Sequence, residues 1–196
     1  MEIVFTALDF IAFIVNVALN YQTGYMNYFP YNCGYYDGTK WTFDCWNFIK
    51  AVIWGWDAST VVGSYTYNPG LHGLGDWNGI TILNHCTNVG YNFENLTRGC
   101  YLYLEDVIDH AGIYIGNYEV NGLEYNVCEA TPIWNDGVQL TWVDPDGTRR
   151  RHKNGEIAGQ WTAHGLLPWI DYSDVPPVPP ESSKLPLLLM SQKYGI

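Results

Sequence analysis

The sequence predicts one α+β domain, because helical patterns come first along the chain and short β-type runs follow them. Its 196 residues fit a single domain with a short appendage, and 47% hydrophobic residues are enough for a sizeable core. A Val-Pro-Pro-Val-Pro-Pro stretch then interrupts the pattern and is typical of a semi-rigid linker. We therefore place the domain at residues 1–173, and the linker with a C-terminal tail at residues 174–196.

The first predicted element is a core helix over residues 2–20. Its run from Phe10 to Leu19 is apolar apart from Asn16, but it is too short to span a bilayer. No Lys or Arg precedes the run, so it also lacks the basic start of a signal peptide. Any extracellular role is therefore expected to depend on release by lysis with a holin, or on transport in a virion.

The clearest predicted helix spans residues 44–56 and follows a loop rich in Tyr, Gly and Asn over residues 21–43. Asp44 stands at the N-cap position and Gly55 lies near the end. Apolar residues recur at helical spacing and form one continuous face. They are Cys45, Phe48, Ile49, Val52, Ile53 and Trp56.

Short β-type runs begin at residue 100, after a segment over residues 57–97 that is mostly loop with one ambiguous helical stretch. Asn121-Gly122 is a hairpin-turn signal. Residues 160–172 close the domain. The predicted strands are residues 100–104, 111–115, 125–128 and 138–143.

Charge excludes one class of function. Nine basic residues against twenty acidic ones give a net charge of −11, which argues against nucleic acid as a partner. An anionic membrane or an anionic wall polymer would also repel this domain. Four of the nine basic residues fall between Arg149 and Lys153. We interpret that cluster as a solvated loop, with an anion site as the alternative.

Five cysteines, an odd number without a C-x-x-C pair, leave at least one free thiol in a monomer. Cys45 lies in the first turn of the helix over residues 44–56, where unpaired backbone N–H groups and the helix dipole are expected to lower a thiol pKa. The same N–H groups can receive an oxyanion. The alternative is that Cys45 is simply a buried apolar residue of the helix face.

His110 opens a predicted strand and is the only histidine next to a well-formed β run. A base on a rigid sheet opposite a helix-borne thiol is the arrangement of Cys–His nucleophilic catalysis. Glu129, on the next strand, is the candidate group to orient the imidazole. A two-residue hairpin loop would pair Glu129 with Tyr114, whereas a six-residue loop would pair it with His110.

Three ordered motifs and a closing segment resemble the NlpC-type bacterial cell-wall cysteine peptidases, in a branch found in phages and prophages of Gram-positive bacteria. Phe43-Asp-Cys-Trp-Asn-Phe-Ile-Lys-Ala-Val-Ile-Trp-Gly-Trp56 resembles the nucleophile helix, and His110-Ala-Gly-Ile-Tyr-Ile-Gly116 resembles the base strand. Glu129-Ala-Thr-Pro132 resembles the segment that orients the base, and His164 to Tyr172 resembles the closing segment. The resemblance covers about residues 5–172.

This resemblance implies a papain-like fold, in which N-terminal helices include a Cys-bearing helix packed on a small antiparallel sheet. It implies hydrolysis of an amide bond in the peptidoglycan stem peptide, by an endopeptidase or an N-acetylmuramoyl-L-alanine amidase such as an endolysin or a virion lysin. The implied catalytic residues are Cys45, His110 and Glu129. No metal and no cofactor are implied.

The substrate would be bound by residues near the nucleophile. In relatives the Asp before the nucleophile helps to recognise a free amine, so Asp44 has this role as an alternative to its role as N-cap. Tyr25, Trp41 and Trp46 are candidate aromatic residues of the groove. No wall-binding module follows the Pro-rich stretch, so a virion or wall-binding partner is expected to act through the C-terminal tail.

The sequence departs from the family pattern in two places. The segment over residues 117–126, between the base and Glu129, is longer than usual, which bears on whether Glu129 reaches His110. The four cysteines other than Cys45 are extra thiols, and we expect them to be buried, with Cys33 the most exposed.

Three alternatives remain open from the sequence. A zinc amidase could use the five histidines, but no H-E-x-x-H or paired-His motif is present. A non-catalytic module could use the same scaffold for binding. An acyltransferase could use the same residues and pass the acyl group to an amine or alcohol instead of water.

Overall fold

The chain folds around one large antiparallel β-sheet. The computed structural model describes residues 1–26, 33–59, 61–106 and 109–175. Three α-helices lie within these residues: α1 (Ala7–Asn20), α2 (Cys45–Ile53) and α3 (Gly79–His85). The strands are β1 (Phe5–Thr6), β2 (Thr23–Tyr25), β3 (Tyr35–Tyr36), β4 (Trp41–Phe43), β5 (Thr87–Gly90), β6 (Tyr101–Leu104), β7 (His110–Val120), β8 (Leu123–Thr131), β9 (Gly137–Val143), β10 (Thr148–Arg150), β11 (Ile157–Gln160), β12 (Ala163–Leu166) and β13 (Ile170–Asp171).

The large sheet has eight strands in the order β11-β10-β9-β8-β7-β6-β12-β5, and each neighbouring pair is antiparallel. A three-stranded sheet, β2-β4-β3, and a parallel pair, β1-β13, complete the β structure of the described part of the chain. The predicted α+β, papain-like fold with a small sheet is therefore wrong. The protein is mostly β, with helices of only 14, 9 and 7 residues.

The error has an identifiable cause in the short strands. Residues 21–43, which were predicted as a loop, contain β2, β3 and β4, and residues 57–97 contain β5. These strands have two to four residues each, so they are too short to show the alternation of apolar and polar residues that marks a strand. Their residues pair because the rest of the fold brings partners to them.

The longest hairpin, β7–β8, carries the predicted base and its partner. Asn121 and Gly122 form its two-residue turn with φ of 52° and 79°, which confirms the predicted turn signal. Near the turn the register pairs Tyr118 with Tyr125, but beyond a bulge it pairs Ile113 with Cys128. The bulge contains Gly116, whose φ of 79° favours glycine.

The two faces of the sheet bury different cores. The larger core includes apolar residues of α1 and α2 and, from β7, Ala111, Ile113 and Ile115. A second core contains Leu102, Val127 and Trp161 and lies on the opposite face of the sheet, because side chains alternate along a strand. The side chain of His110 belongs to this second face, where its ring stacks on Trp161.

Both predicted helices exist with shorter bounds. Helix α1 begins after Thr6, whose side chain accepts from the N–H of Asp9, because Phe5 and Thr6 pair with β13 instead. Helix α2 begins after Asp44, which accepts from the N–H of Asn47 at 2.8 Å, so the predicted N-cap is confirmed. Among the residues that the structure covers, no helix is long and apolar enough to cross a membrane.

Residues 176–196 lie outside the described residues, so the predicted linker and tail over residues 174–196 have no structural account beyond Asp174 and Val175.

Candidate active site

The thiol of Cys45 lies at the N-terminus of α2, against the start of β7. Cys45 is 1% exposed, and its Sγ is 4.0 Å from the carbonyl oxygen of Asp109. The main-chain N–H groups of Trp46 and Ala111 also reach the sulfur. The thiol therefore contacts the main chain on both sides of His110.

Burial raises the pKa of the Cys45 thiol, and the charge of Asp44 raises it further. The N–H groups of Ala111 and Trp46 act in the opposite direction but do not outweigh burial. The helix N-terminus therefore acts in the expected direction, but the pKa is raised overall, because a nearly dry site disfavours any thiolate. In the resting site Cys45 is a neutral thiol, so it needs a base to react.

Glu129 reaches His110 because of the bulge in the β7–β8 hairpin. The register beyond the bulge places Glu129 opposite Gly112, two residues from His110 and on the same face of the sheet. Gly112 has no side chain, so the Glu129 carboxylate can extend along the strand and bond to Nε2 of His110. The longer segment over residues 117–126 forms the outer hairpin and does not prevent this contact.

Glu129 is buried, at 1% exposure, and is held by several donors. Thr141 donates its hydroxyl to Oε1, and Arg149 donates from Nε and Nη2 at 2.7–3.0 Å. Burial works to raise the pKa of Glu129, but the charge of Arg149 and the interaction with His110 lower it to about 2. Glu129 is therefore a carboxylate that accepts hydrogen bonds and donates none.

This state of Glu129 fixes the tautomer of His110. Since a carboxylate can only accept, Nε2 of the imidazole carries the proton and Nδ1 has a free lone pair. The ring packs on Trp161 with centroids 5.5 Å apart and planes 26° apart. Burial lowers the pKa of His110 below its ordinary value of 6.5, against the effect of Glu129, so the imidazole is neutral at pH 7.

Arg149 is a site residue that the sequence pattern did not single out. It is 2% exposed and lies between the rings of Trp134 and Trp161, 5.1 and 5.8 Å from their centroids. The interpretation of residues 149–153 as a solvated loop is therefore wrong for Arg149. One signal could have found it: in a strand, adjacent arginines point to opposite faces, so one of the Arg149-Arg150 pair must point inward.

A cleft of about 480 Å³ opens beside His110. Its walls include Tyr25, Thr131, Ile133 and Arg149, and three carboxylate residues lie along it, namely Glu105, Asp106 and Asp109. Cys45 is not in the lining. The side chain of Tyr25 lies beside the Cys45 thiol and forms part of the cleft wall, so Tyr25 stands between the thiol and the cleft.

Tyr25 is fixed by the loop that follows β8. The Oδ1 atom of Asp136 accepts from the N–H of Tyr25 at 2.7 Å, and its Oδ2 pairs with Lys40 at 3.0 Å. In the next residues Val138 donates its N–H to the hydroxyl of Thr23. Strand β2 and the loop over residues 132–136 thus hold the tyrosine over the thiol.

The structure does not bring the other predicted substrate residues to the cleft. Trp41 is 3% exposed and packs against Phe43 and Trp56 in the core. Trp46 lies against Gly79 at the start of α3 and is absent from the cleft wall. Asp44 is 8% exposed and faces Asn47.

The burial of the remaining cysteines differs from the prediction for Cys33. Cys33 is 3% exposed, so the expectation that it is the most exposed extra thiol is wrong, and Cys86 is the partly exposed one. All five cysteines are free thiols. Within the described ranges, no group of three or more His, Cys, Asp or Glu residues could hold a metal ion.

Comparison with known proteins gives no relative for this arrangement. No family model, no curated protein and no solved structure matches the chain. The function must therefore be argued from the chemistry of the site.

Proposed function

We propose that the protein is a cysteine hydrolase that cleaves an amide bond in the stem peptide of bacterial peptidoglycan. The observation that carries the proposal is the buried His110–Glu129 hydrogen bond at the start of β7, with the Cys45 thiol in contact with the main chain of the preceding residue, Asp109. A thiol, a neutral imidazole and an orienting carboxylate are the parts required for nucleophilic acyl transfer. The resemblance of α2 and β7 to NlpC-type peptidases supports wall peptide as the substrate.

In the proposed reaction Nδ1 of His110 takes the Cys45 proton as the sulfur attacks the amide carbonyl carbon. Backbone N–H groups at the start of α2 stabilise the oxyanion. His110 then returns the proton to the leaving amine, and a thioester remains on Cys45. His110 next removes a proton from water, the hydroxide attacks the thioester, and the thiol recovers its proton as the acid product leaves.

Substrate has to displace Tyr25 from the thiol before this reaction can start. The Tyr25 side chain lies beside Cys45, and the cleft wall includes Tyr25 and His110 but excludes the sulfur. We infer that the peptide enters along the 480 Å³ cleft and reaches the thiol at Tyr25. Cys45 is then shielded from solvent when substrate is absent.

The first prediction concerns Cys45 and tests the proposal directly. Purified Gram-positive sacculi are incubated with the parent protein and with Cys45→Ala, and the released fragments are identified by mass spectrometry. We expect the parent to release peptide fragments and Cys45→Ala to lose at least about a thousandfold in rate, because the nucleophile is gone. Cys86→Ala, which removes a partly exposed thiol outside the site, is the matched control and should retain the parental rate.

Two outcomes would count against the proposal. If Cys45→Ala digests sacculi as fast as the parent, the nucleophile is assigned wrongly. If the parent forms a thioester with wall peptide but releases product only when an amine or alcohol is added, the protein is an acyltransferase instead.

A further inference from the structure

Arg149 forms hydrogen bonds to three residues, Glu129, Thr131 and Ala158, and not to Glu129 alone. Its Nε and Nη2 bond to both oxygens of Glu129, Nη2 also bonds to the hydroxyl of Thr131, and Nη1 bonds to the carbonyl oxygen of Ala158. The guanidinium is buried between two tryptophan rings. Every contact fixes the guanidinium in one plane, facing the carboxylate that His110 uses.

The charges of the buried group balance only when His110 is neutral. Glu129 carries one negative charge and Arg149 one positive charge, and both side chains are almost fully buried. A buried carboxylate without a partner takes up a proton or draws one onto a neighbour. Without Arg149, the nearest group able to take up a proton from solvent and become a cation beside Glu129 is the imidazole bonded to it.

We propose that Arg149 is a positioning residue that keeps His110 a neutral base, by supplying the positive charge that Glu129 would otherwise obtain from a proton on the imidazole. Arg149 thus sets the pH range in which the site can act. The inference rests on the proposed function only for the use of His110 as a base. Its effect on the protonation of His110 holds whether or not the wall is the substrate.

Other charged groups around the pair do not replace Arg149. Helix α2 contributes Cys45 and Asp44, β2 contributes Tyr25, and the cleft contributes its three carboxylates; none of these is a cation. The neighbouring Arg150 pairs with Asp144, and its side chain is 25% exposed. Within the described residues of this site, Arg149 is therefore the only cation in contact with Glu129.

The second prediction is tested with Arg149→Met, and Arg150→Met is the matched control on the same strand. The ring signals of labelled histidines are followed by NMR from about pH 5 to about pH 9 in the full chain, with His110 assigned by comparison with His110→Gln. We expect the proton uptake of the His110–Glu129 pair to move upward by about one to three pH units in Arg149→Met. Arg150→Met should titrate as the parent does.

The same shift in pH should appear in the pH dependence of the reaction rate. The acid limb of wall hydrolysis should move to higher pH in Arg149→Met, and raising the pH should restore the rate. A folding defect alone would not be repaired by base. If the parent leaves sacculi intact while Arg149→Met still shifts the His110 signal, the proposed function fails and the inference stands.

A folded Arg149→Met protein with parental titration of His110 would overturn the inference, as would an equal shift in Arg150→Met. If Arg149→Met does not fold, the double variant Glu129→Gln with Arg149→Met removes both buried charges together. In that variant the carboxylate that draws the proton is absent, so His110 should titrate no higher than in the parent. A raised midpoint there would also overturn the inference.

Discussion

Asp44 has two effects of opposite sign on stability. As the N-cap it accepts from the N–H of Asn47, but it is 8% exposed and its carboxylate is poorly solvated. Burial raises its pKa to about 6, against the Asn47 N–H and the charge of Lys50. Because its pKa is raised from an ordinary 3.8, the folded state loses stability as the pH rises through about 6.

The third prediction is that Asp44→Asn stabilises the fold above pH 6. Asparagine caps a helix as well as aspartate does, and its amide can donate to Oδ1 of Asn47, which has no partner in the parent. We expect a gain of about 1–3 kcal/mol at pH 8 and little gain at pH 4, measured by urea unfolding.

Asp37→Asn is the matched control for this experiment. Asp37 also accepts from turn N–H groups, but it is exposed and its pKa is lowered to about 2 by the Thr39 hydroxyl and the N–H groups of Lys40 and Thr39. Its substitution should give no stabilisation at pH 8. An Asp44→Asn gain that is equal at both pH values would contradict a role for the buried charge.

At the scale of elements, the β7–β8 hairpin shows what the sequence could and could not predict. The predicted turn at Asn121-Gly122 is confirmed, and the side chains of His110 and Glu129 lie on the same face of the sheet, as both predicted registers require. Both predicted registers assumed an uninterrupted hairpin, whereas the bulge moves Glu129 to an intermediate position opposite Gly112. A glycine inside a strand is a weak hint of a bulge, but it does not say which way the register moves.

The burial of Arg149 could not be predicted from the sequence, for a different reason. Its run of basic residues comes directly after Asp144-Pro-Asp-Gly147, a turn sequence, and charged clusters are usually solvated. The neighbour in sequence, Arg150, does lie partly exposed and pairs with Asp144. Which of two adjacent arginines is buried depends on the pairing of β10 with β9, which is a tertiary contact.

The fourth prediction concerns Gly112, the space that lets Glu129 reach His110. A Cβ at this position would lie 3.0 Å from Trp161 and 3.4 Å from the Cβ of Glu129. We expect Gly112→Val to lower the free energy of unfolding by about 1–3 kcal/mol and to slow turnover, because the added methyl groups separate these side chains.

Urea unfolding and sacculus digestion measure the two effects of Gly112→Val. Asn117→Val, at an exposed position of the same strand, is the control and should leave both values close to those of the parent. If Gly112→Val retained parental turnover, the open space at residue 112 would not be needed by the site.

At the scale of the whole molecule, the net charge of −11 opposes binding to an anionic wall. The candidate site also carries negative charge, because three carboxylate residues lie along the cleft. Any affinity for wall polymer must therefore come from contacts other than charge. Salt should increase this affinity, because it screens the repulsion between the protein and the polymer.

The fifth prediction is that more Cys45→Ala protein sediments with sacculi at about 0.15 M salt than at about 0.01 M salt, because salt screens the repulsion. The inactive variant is used so that binding is measured without digestion. Sacculi stripped of anionic polymers are the control, and they should show a smaller dependence on salt. Binding that weakens as salt is added would contradict a repulsive surface.

The bulge at Gly116 also has a practical consequence. The outer hairpin, from Asn117 to Asn126, pairs in its own register, and its tip at Gly122 has no atom within 4 Å of an added Cβ. Residues added at the tip lengthen only this outer arm, since the bulge lies between it and Glu129. The hairpin tip is therefore a suitable position for a dye or an affinity tag that does not touch the site.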